Sequence, residues 1–575
     1  MKLRHILFML LIGGLSISCN NDESRNQSFD LNVRISKDPG MINPFYAPTS
    51  AGREVYQYVF LPLADFHPES LELSPILLER VPEAKDTMLD DQKYVVYDMD
   101  LIEDAKWSDG ASLSAKDYLF TVQAIKHPNS EISAWKPYFD ALKKIELDGS
   151  DESKFKVYFD PDYMLSKEVA VTCYILPSHI FDPEGYLLEK GQEPITEGYT
   201  TEDSTEISLI NALNASVTQK EDIVQLGPYR IQEYQNDEYL ILTRKEDYWG
   251  SAYPENVFLQ QGPQNIIMRV VPDEVSALNM AKEGRLDFIS FRNSNYFFEL
   301  KNNEEYASKW SFHNPQIMQY YYFTLNNTSP ILSDKRVRQA MSYLLDVPDY
   351  IENIENGLGA QTIGHFNPSK PYYNNDIQAR PFDVNKAKEL LAQSGWEDSD
   401  GDGILDKLID GKRTSLKLEL LITGSELSQK IALLFQEAAS KAGIEIDIVT
   451  KKGSLMRKEN IGVYNYDMAA TAAVSDAAPD DPYSRFHSDN AKPGTRNESG
   501  FSNAEADRLI EAIRTTRSDE ERKSLYLEFQ ELMYDEMPIL YLYSPMQKIV
   551  ISNRVEGTTS SKRPGYMANT FKLAD

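Results

Sequence analysis

Apolar and polar residues alternate in short runs along the first half of the chain, which is the pattern of half-buried β-strands. Leu31-Asn32-Val33-Arg34-Ile35 alternates with a period of two residues. Residues 223–231 and 239–243 form two further apolar runs, and the polar residues 235–238 between them predict the turn of a β-hairpin. We therefore expect paired strands in this half of the chain.

In several places apolar residues recur at helical spacing directly after a residue that can cap a helix. The side chain of such a residue accepts hydrogen bonds from free backbone N–H groups of the first turn, and an acidic residue three positions later completes a capping box. We expect helix N-caps at Ser114 with Asp117, Ser333, Asp383, Ser425, and Ser502 with Glu505.

The segment that begins at Ser425 shows how helices and strands follow each other. Residues 425–442 are amphipathic and end at Gly443, and Ile444, Ile446 and Ile448 then alternate as in a strand. Similar changes of periodicity occur along the chain at no fixed interval. This order predicts an α/β architecture and argues against a repeat solenoid.

Residues 1–18 have the pattern of an export signal. Lys2 and Arg4 form a basic start, residues 6–12 are apolar, and small residues lead up to Cys19. The segment resembles bacterial lipoprotein signals, which are cleaved before a cysteine that then receives a diacylglyceryl group. Cys19 is thus the predicted lipidation site and membrane anchor, with residues 19–29 as a tether. The alternative is an ordinary secretory signal that happens to contain a cysteine.

No later apolar run approaches the ~20 residues that a membrane-spanning helix needs. At 575 residues the chain is too long for one compact core, so we expect two or three lobes. The formal charge of −30 becomes more negative by two when Lys2 and Arg4 are removed with the signal. Nucleic acid is therefore excluded as a partner. Cys173, in the strand-like apolar run 169–176, has no disulfide partner if Cys19 is acylated, and is predicted to be a packed core thiol.

Several motifs, in one order along the chain, resemble those of the solute-binding proteins of peptide and nickel ABC importers. The most recognisable is Lys106-Trp107-Ser108-Asp109-Gly110 followed by Leu113-Ser114-Ala115-Lys116-Asp117. The other matching segments are Ile42-Asn43-Pro44, Val59-Phe60-Leu61-Pro62-Leu63, Ile175-Leu176-Pro177-Ser178-His179-Ile180-Phe181, Gly227-Pro228-Tyr229, Asp247-Tyr248-Trp249, Arg336-Val337-Arg338-Gln339-Ala340 and Asp507-Arg508-Leu509-Ile510. We interpret most of them structurally, with Trp107 and Gly110 in a tight turn and Arg338 as the anchor of a helix end.

The resemblance implies an α/β fold of the type II periplasmic-binding-protein class, cluster C, with three lobes and a discontinuous first lobe. Lobe I would comprise residues 30–65, 215–313 and 546–575, lobe II residues 66–214, and lobe III residues 314–545. The ligand would lie between lobes I and III, and closure of the lobes would bury it.

The resemblance further implies a monomer that is not an enzyme and that delivers a peptide or peptide-like solute to the permease of an ABC importer. Its place would be the cell envelope, on the periplasmic side or, since Asp22-Glu23 resembles a surface-export signal, on the outer surface. Two alternatives remain. One is a surface receptor or peptide sensor of the same fold without transport. The other is a secreted hydrolase, for which we find neither a Gly-x-Ser-x-Gly nor a His-Glu-x-x-His motif.

The candidate ligand site is the segment that follows Tyr466-Asp467-Met468-Ala469. In peptide-binding members of the resembled family a similar strand is followed by an aspartate that meets the ammonium group of the ligand. Counting forward from Asp467 places this aspartate at Asp476, whereas counting backward from Pro482 places the position at Ala478. The alternative for Asp476 is a solvent-exposed loop carboxylate.

Further candidates for ligand contact lie on the same segment. They are Asp480, Asp481, Tyr483 and Arg485. Arg485 is the candidate partner of a ligand carboxylate, because a guanidinium group offers two parallel donors to it. His487 is the residue that could instead hold a metal complex.

A second candidate site is the acidic turn at residues 398–406. Asp398, Asp400, Asp402 and Asp406 provide hard oxygen ligands, and Gly403 stands at the sixth position, as in the front of a calcium loop. Ile409 occupies the twelfth position, where such loops carry glutamate. Calcium is therefore the candidate ion, with a plain acidic turn as the alternative, and no cofactor is required.

Overall fold

The structure is a computed structural model and describes residues 28–46, 49–132, 135–190, 195, 199–216 and 223–574. The predicted signal, the lipidation site Cys19 and residues 20–27 of the predicted tether lie outside these residues. None of the helices in the described ranges is both long enough and apolar enough to cross a bilayer.

The strands of the described residues are numbered in chain order. In the first half they are β1 Asp30–Ile35, β2 Ala64–Phe66, β3 Leu73–Pro75, β4 Lys85–Leu89, β5 Gln92–Asp100, β6 Leu142–Leu147, β7 Lys154–Phe159, β8 Tyr229–Gln235, β9 Tyr239–Arg244, β10 Asn265–Val270 and β11 Phe288–Phe291. In the second half they are β12 Trp310–His313, β13 Gln319–Leu325, β14 Gly359–Gln361, β15 Asp406–Ile409, β16 Lys412–Ser415, β17 Lys417–Ile422, β18 Glu445–Thr450, β19 Met468–Val474, β20 Ile539–Tyr541, β21 Tyr543–Pro545, β22 Lys548–Ser552, β23 Val555–Glu556 and β24 Lys572–Leu573.

The α-helices are numbered in the same way. They are α1 Ser50–Tyr56, α2 Ala115–Lys126, α3 Ser166–Thr172, α4 Ser178–Phe181, α5 Ser204–Ser216, α6 Glu274–Lys282, α7 Ser294–Lys301, α8 Glu304–Ala307, α9 Lys335–Ser342, α10 Val347–Glu355, α11 Val384–Gln393, α12 Glu426–Lys441, α13 Gly453–Glu459, α14 Tyr483–Phe486, α15 Ala504–Thr515 and α16 Asp519–Glu536.

Three large sheets organise the described chain, and four two-stranded sheets accompany them. A seven-stranded sheet has the order β12-β22-β11-β1-β10-β9-β8, a four-stranded sheet has the order β4-β5-β7-β6, and a five-stranded sheet has the order β18-β17-β19-β13-β20. Strand β1 pairs in parallel with β10 and β11, and β22 returns from the C-terminal part to pair with β11 and β12. The seven-stranded sheet is therefore built from distant parts of the chain.

Each of these sheets packs against a hydrophobic core of its own. The cores do not coincide everywhere with the predicted lobes. The core on the four-stranded sheet also takes in Leu226, Tyr248 and Phe258, which lie in the range predicted for lobe I. The boundary expected between residues 214 and 215 falls inside α5. The remaining lobe boundaries stay a prediction.

Strand β13 separates two cores in the C-terminal part, because its side chains alternate between the faces of the five-stranded sheet. Phe323 and Leu325 join the core that α9, α10 and α12 cover, whereas Tyr320 and Tyr322 point into a second, aromatic core with Phe486. This second face carries the site described below.

Several predicted elements are confirmed. Strands β8 and β9 form the expected hairpin, with the N–H of Glu238 donating to the carbonyl of Gln235 in its turn. Ser114 and Asp117 form the expected capping box of α2. Asp383 and Ser425 cap α11 and α12, and each accepts a hydrogen bond from a backbone N–H in the first turn.

Two predicted caps are displaced by one residue. Asp334, and not Ser333, caps α9, because its carboxylate accepts the N–H of Arg336 at 2.9 Å. Asn503, and not Ser502, caps α15, since the Ser502 hydroxyl is 2.8 Å from the Ser488 hydroxyl. In each pair two adjacent residues can cap, and the serine hydroxyl has another partner, which is the carbonyl of Pro330 for Ser333 and the hydroxyl of Ser488 for Ser502.

The prediction of a strand around Cys173 is wrong. Residues Ser166–Thr172 form helix α3, and Cys173 follows it with its thiol buried. A short apolar run that is buried on every side has no polar face, so its periodicity cannot separate helix from strand. The expectation of a packed core thiol is confirmed, and burial raises its pKa.

Two segments of the chain, residues 314–316 and 546–547, connect the seven-stranded and five-stranded sheets and lie side by side. Gln316 and Met546 form an antiparallel bridge, and the side-chain amide of Asn314 donates to the carbonyl of Gln547 at 2.8 Å. A buried ion pair lies next to these segments, where Lys548 Nζ of β22 is 2.5 Å from a carboxylate oxygen of Glu355 in α10. The pair joins a strand of the seven-stranded sheet to a helix that packs on the five-stranded sheet.

Candidate functional site

The predicted ligand segment follows β19 and lies on the aromatic face of the five-stranded sheet. Strand β19 pairs with β13, and the N–H of Ser475 extends this pairing to the carbonyl of Met318 at 2.9 Å. Asp476 comes next and is exposed. Its carboxylate accepts the N–H of Ala478 at 3.0 Å, and no described cation forms an ion pair with it. Asp476 thus presents a negative charge with free acceptor capacity.

Asp480 lies in the opposite environment. Its side chain is 10% exposed and accepts a hydrogen bond from the Tyr372 hydroxyl at 2.7 Å, with Lys370 Nζ at 3.6 Å. Lys370 also donates to the carbonyl of Ala478, and the Tyr526 hydroxyl donates to the carbonyl of Asp480. Burial raises the pKa of Asp480, while the charge of Lys370 opposes this rise. These contacts fix the loop and occupy the Asp480 carboxylate.

Asp481 and Tyr483 are also occupied by neighbours. Asp481 forms an ion pair with Arg514 at 3.2 Å and accepts the N–H of Tyr483 at 3.0 Å. The Arg514 guanidinium lies over the Tyr483 ring, 4.3 Å from its centre. The Tyr483 hydroxyl donates to Asp489. Asp481, Tyr483, Asp489 and Arg514 therefore contact one another.

Arg485 is half-buried and has few protein partners. Its Nη1 donates to the Tyr322 hydroxyl at 3.3 Å, and that hydroxyl donates in turn to Glu498 at 3.2 Å. Glu498 is itself paired with Arg457. Within the described chain no carboxylate forms an ion pair with Arg485, and Glu498 is connected to it through the Tyr322 hydroxyl.

Tyr322, which accepts the hydrogen bond of Arg485, belongs to a cluster of aromatic rings. The rings of Tyr320 and Tyr322 are 5.5 Å apart, and Tyr541 lies 5.8 Å from Tyr320. The Tyr320 hydroxyl and His365 Nδ1 are 2.5 Å apart. Burial lowers the pKa of His365 well below its usual value, and the charge of Arg485 adds to this effect. His365 is therefore neutral at pH 7.

His487, the candidate for a metal complex, is buried and engaged. Its ring stacks on Tyr483 at 4.4 Å, and its Nε2 is 3.3 Å from a Glu511 oxygen. Its Nδ1 accepts the N–H of Asp489 at 3.2 Å. Both ring nitrogens thus have protein partners.

A part of the chain next to the four-stranded sheet lies against this region. Arg517 donates to the carbonyl of Pro161 at 2.9 Å and forms an ion pair with Asp86 at 3.0 Å. Met164 packs against the aromatic core that contains Phe486. The site therefore lies near a contact between two sheet-bearing parts of the molecule.

The acidic turn brings together three of the four predicted calcium ligands. One oxygen from each of Asp398, Asp400 and Asp402 lies within 4.8 Å of the others, and all three residues are exposed. Asp406 does not join them, because its carboxylate accepts a hydrogen bond from the Ser399 hydroxyl at 2.7 Å and pairs with Arg413 Nε, also at 2.7 Å. Calcium binding at this turn stays a prediction.

The structure brings the five predicted ligand residues into one region but gives them different roles. Asp480, Asp481 and Tyr483 hold the loop, whereas Asp476 and Arg485 keep unused hydrogen-bonding capacity. Sequence reasoning missed the residues that hold or surround them. These are Tyr320, Tyr322, His365, Lys370, Tyr372, Arg514 and Tyr541. The three consecutive tyrosines at residues 320–322, followed by Phe323, were a usable signal for an aromatic face.

Comparison with known proteins defines the class. The solved oligopeptide-binding protein AppA from Bacillus subtilis in complex with a nonapeptide superposes with a TM-score of 0.71 at 23% identity, covering 96% of this chain and all of that one. The ABC transporter substrate-binding protein CtaP from Listeria monocytogenes gives 0.73 at 22% identity with the same coverage. The fold is therefore that of a periplasmic solute-binding protein of type II, cluster C, as predicted.

The family follows from the sequence match. The model of the bacterial extracellular solute-binding proteins, family 5, matches residues 74–494, and the chain belongs to this family. AppA of Bacillus subtilis is 25% identical over 571 residues, covering 96% of this chain and 95% of AppA. The nickel-binding periplasmic protein of Escherichia coli is 24% identical over 329 residues, covering 55% of this chain and 59% of that protein. The family consists of solute-binding proteins, so the chain is not an enzyme.

Proposed function

We propose that this protein is a lipid-anchored receptor in the cell envelope that captures peptides or peptide-like solutes and delivers them to the permease of an ABC importer. The observation that carries the proposal is the exposed, unpaired carboxylate of Asp476 beside an aromatic face. A fixed carboxylate complements the ammonium group of a peptide, and tyrosines contact both apolar and polar parts of it. The likeness to AppA, whose solved complex contains a nonapeptide, supports the same choice.

A metal complex is the second ligand class, since a solved relative is NikZ from Campylobacter jejuni in complex with Ni(L-His). His487 offers little for this role here, because both of its ring nitrogens face protein atoms. The peptide is therefore the ligand class that the site supports better. A surface peptide sensor would use the same site, and import by intact cells distinguishes it from a transport receptor.

Replacement of Asp476 by alanine tests the peptide proposal. A bound peptide loses the water around its ammonium group, so without the carboxylate a desolvated cation stays unpaired, which costs about 2–5 kcal/mol of binding free energy. Native mass spectrometry of the purified protein supplies co-purified peptides as probes. Calorimetry with such a peptide should then show weaker binding to Asp476→Ala than to the wild type.

Asp481→Ala is the matched control, because Asp481 lies on the same loop but is paired with Arg514. Because Asp481 also helps to hold the loop, this variant should bind the peptide less well than the wild type but better than Asp476→Ala. An N-acetylated form of the peptide should bind weakly to the wild type and lose little more on the Asp476 variant. Equal affinity of Asp476→Ala and the wild type for the free peptide would rule out Asp476 as the ammonium partner.

The anchor is tested separately. Cys19→Ser should give a protein that incorporates no labelled palmitate and no longer sediments with membranes, because the acyl chains are the proposed attachment. The wild type should carry the label and partition into detergent. Membrane association of the variant equal to that of the wild type would show that another segment holds the protein at the membrane.

A further inference from the structure

Two parts of the molecule that are not connected directly by the chain touch each other beside the ligand region. The five-stranded sheet lies in residues 317–545, and the segments 314–316 and 546–547 connect this part to the seven-stranded sheet. The chain connects the four-stranded sheet to the seven-stranded sheet as well, through the residues between β1 and β4 and between β7 and β8. A rotation of the five-stranded part about its two connecting segments would therefore separate it from the four-stranded part.

Arg517 makes the polar part of this contact. It lies between α15 and α16, and its guanidinium donates to the carbonyl of Pro161 at 2.9 Å while Nη1 is 3.0 Å from a carboxylate oxygen of Asp86 in β4. The planar fork of an arginine can hold a carbonyl and a carboxylate at the same time. Both partners belong to the four-stranded part, so the two bonds cross from one part of the molecule to the other.

The apolar part of the contact comes from Met164. This side chain packs against the aromatic core beside the five-stranded sheet, to which α16 contributes Tyr526 and Phe529. Met164 is half-buried, and it would be exposed to water if the two parts moved away from each other. Removing apolar surface from water favours the arrangement in which the two parts touch.

A charged pair in the same contact is not closed. One carboxylate oxygen of Glu168 in α3 and Nε of Arg522 in α16 are both buried and have no hydrogen-bond partner. Burial raises the pKa of Glu168, and the charge of Arg522 is one of those that oppose this rise. Buried polar atoms without partners are unfavourable. A small further approach of the two parts that brings these groups together would therefore be favourable.

The contact lies next to residues that hold the ligand loop. Arg514, near the end of α15, pairs with Asp481 of that loop at 3.2 Å, and Arg517 follows three residues later. The residue that holds the contact and the residue that holds the loop therefore lie on one short stretch of chain.

We propose that Arg517, Asp86 and the carbonyl of Pro161 form a latch that keeps the cleft between the seven-stranded and five-stranded sheets closed. Opening of the cleft would break both bonds of Arg517 and expose Met164, so these contacts raise the population of the closed arrangement. The latch consists of protein groups alone and acts with any solute. Its test therefore does not depend on the proposed ligand class.

Spin labels on the two parts measure how often the latch is closed. The labels are attached at Lys116→Cys on α2 and Lys430→Cys on α12, two exposed positions on helices, whereas Cys173 is buried. Pulsed electron paramagnetic resonance then gives the distances between the labels, and so the ratio of closed to open molecules. The sample is full-length protein in detergent, as purified and after removal of any bound solute.

Arg517→Met should lower the ratio of closed to open molecules about three- to tenfold, as expected for the loss of one exposed ion pair and one hydrogen bond. Arg517→Lys should lower it less, because lysine retains the charge but not the fork. Asp86→Asn should also have a smaller effect, and no effect in the Arg517→Met background, because the two residues act through one shared contact.

Arg508→Met is the matched control, since Arg508 is an exposed arginine on α15 whose guanidinium is 2.7 Å from Glu505 of the same helix. It should leave the ratio unchanged, and melting curves of all variants check that they are folded. Equal ratios in Arg517→Met and the wild type in both preparations would overturn the latch. A single distance in every protein would overturn it as well, because the two parts would then stay together without the bonds of Arg517.

Discussion

Lys548→Met is expected to lower the free energy of unfolding by about 3–5 kcal/mol, the range for removing one partner of a buried ion pair. Lys548 is 4% exposed, and its Nζ is 2.5 Å from Glu355. Without the lysine the Glu355 carboxylate keeps only the hydroxyl of Tyr543, which donates to it at 3.0 Å. A buried charge would then be left without its counter-ion. Urea unfolding followed by circular dichroism measures the loss.

The double variant Lys548→Met/Glu355→Leu separates the ion pair from mere packing. It removes both charges, so it should recover much of the stability that the single variant loses. Lys417→Met is the matched control, because Lys417 pairs with Glu445 at 2.8 Å while 48% of its side chain is exposed. An exposed pair contributes only about 0–1 kcal/mol. If the single and double variants unfold at the same urea concentration, the charge of Glu355 is not what destabilises the single variant.

Local elements of this fold could be predicted where one sequence signal acts alone. The hairpin of β8 and β9 has two apolar runs around a polar turn, and α12 has a cap, an amphipathic face and a terminal glycine. Prediction was off by one residue where two neighbours can both cap, as at Ser333 and Asp334. It was wrong at α3, where burial on all sides removes the periodicity that distinguishes helix from strand.

The site was predictable only as far as it lies on one stretch of chain. Residues 476–485 are close in sequence, and their carboxylates and arginine pointed to a binding loop. Which of them are free for a ligand depends on partners far away, such as Lys370 and Tyr372, which lie about a hundred residues before Asp480. No spacing rule connects these segments, because strand pairing and loop packing bring them together.

Arg338→Met is also expected to lower the free energy of unfolding by about 3–5 kcal/mol. Arg338 lies away from the ligand region and from the Lys548–Glu355 ion pair. Arg338 of α9 is 3% exposed and was predicted to anchor a helix end. Its guanidinium donates to the carbonyls of Leu332 and Ser333 before α9 and to those of Glu536 and Met537 at the end of α16. Methionine fills a similar volume but leaves these buried carbonyls without donors.

The pattern among variants identifies the cause of this loss. Burial lowers the pKa of Arg338 to about 10, so the group is charged at pH 7 and Arg338→Lys conserves the charge. Lysine cannot reach carbonyls on two sides at once, and it should recover only part of the stability. Arg336→Met, two residues earlier on an exposed face, removes a surface pair with Asp334 and should cost no more than about 1 kcal/mol. Urea midpoints of the three variants test this order, and full recovery by lysine would mean that charge, and not the forked geometry, holds the two helix ends together.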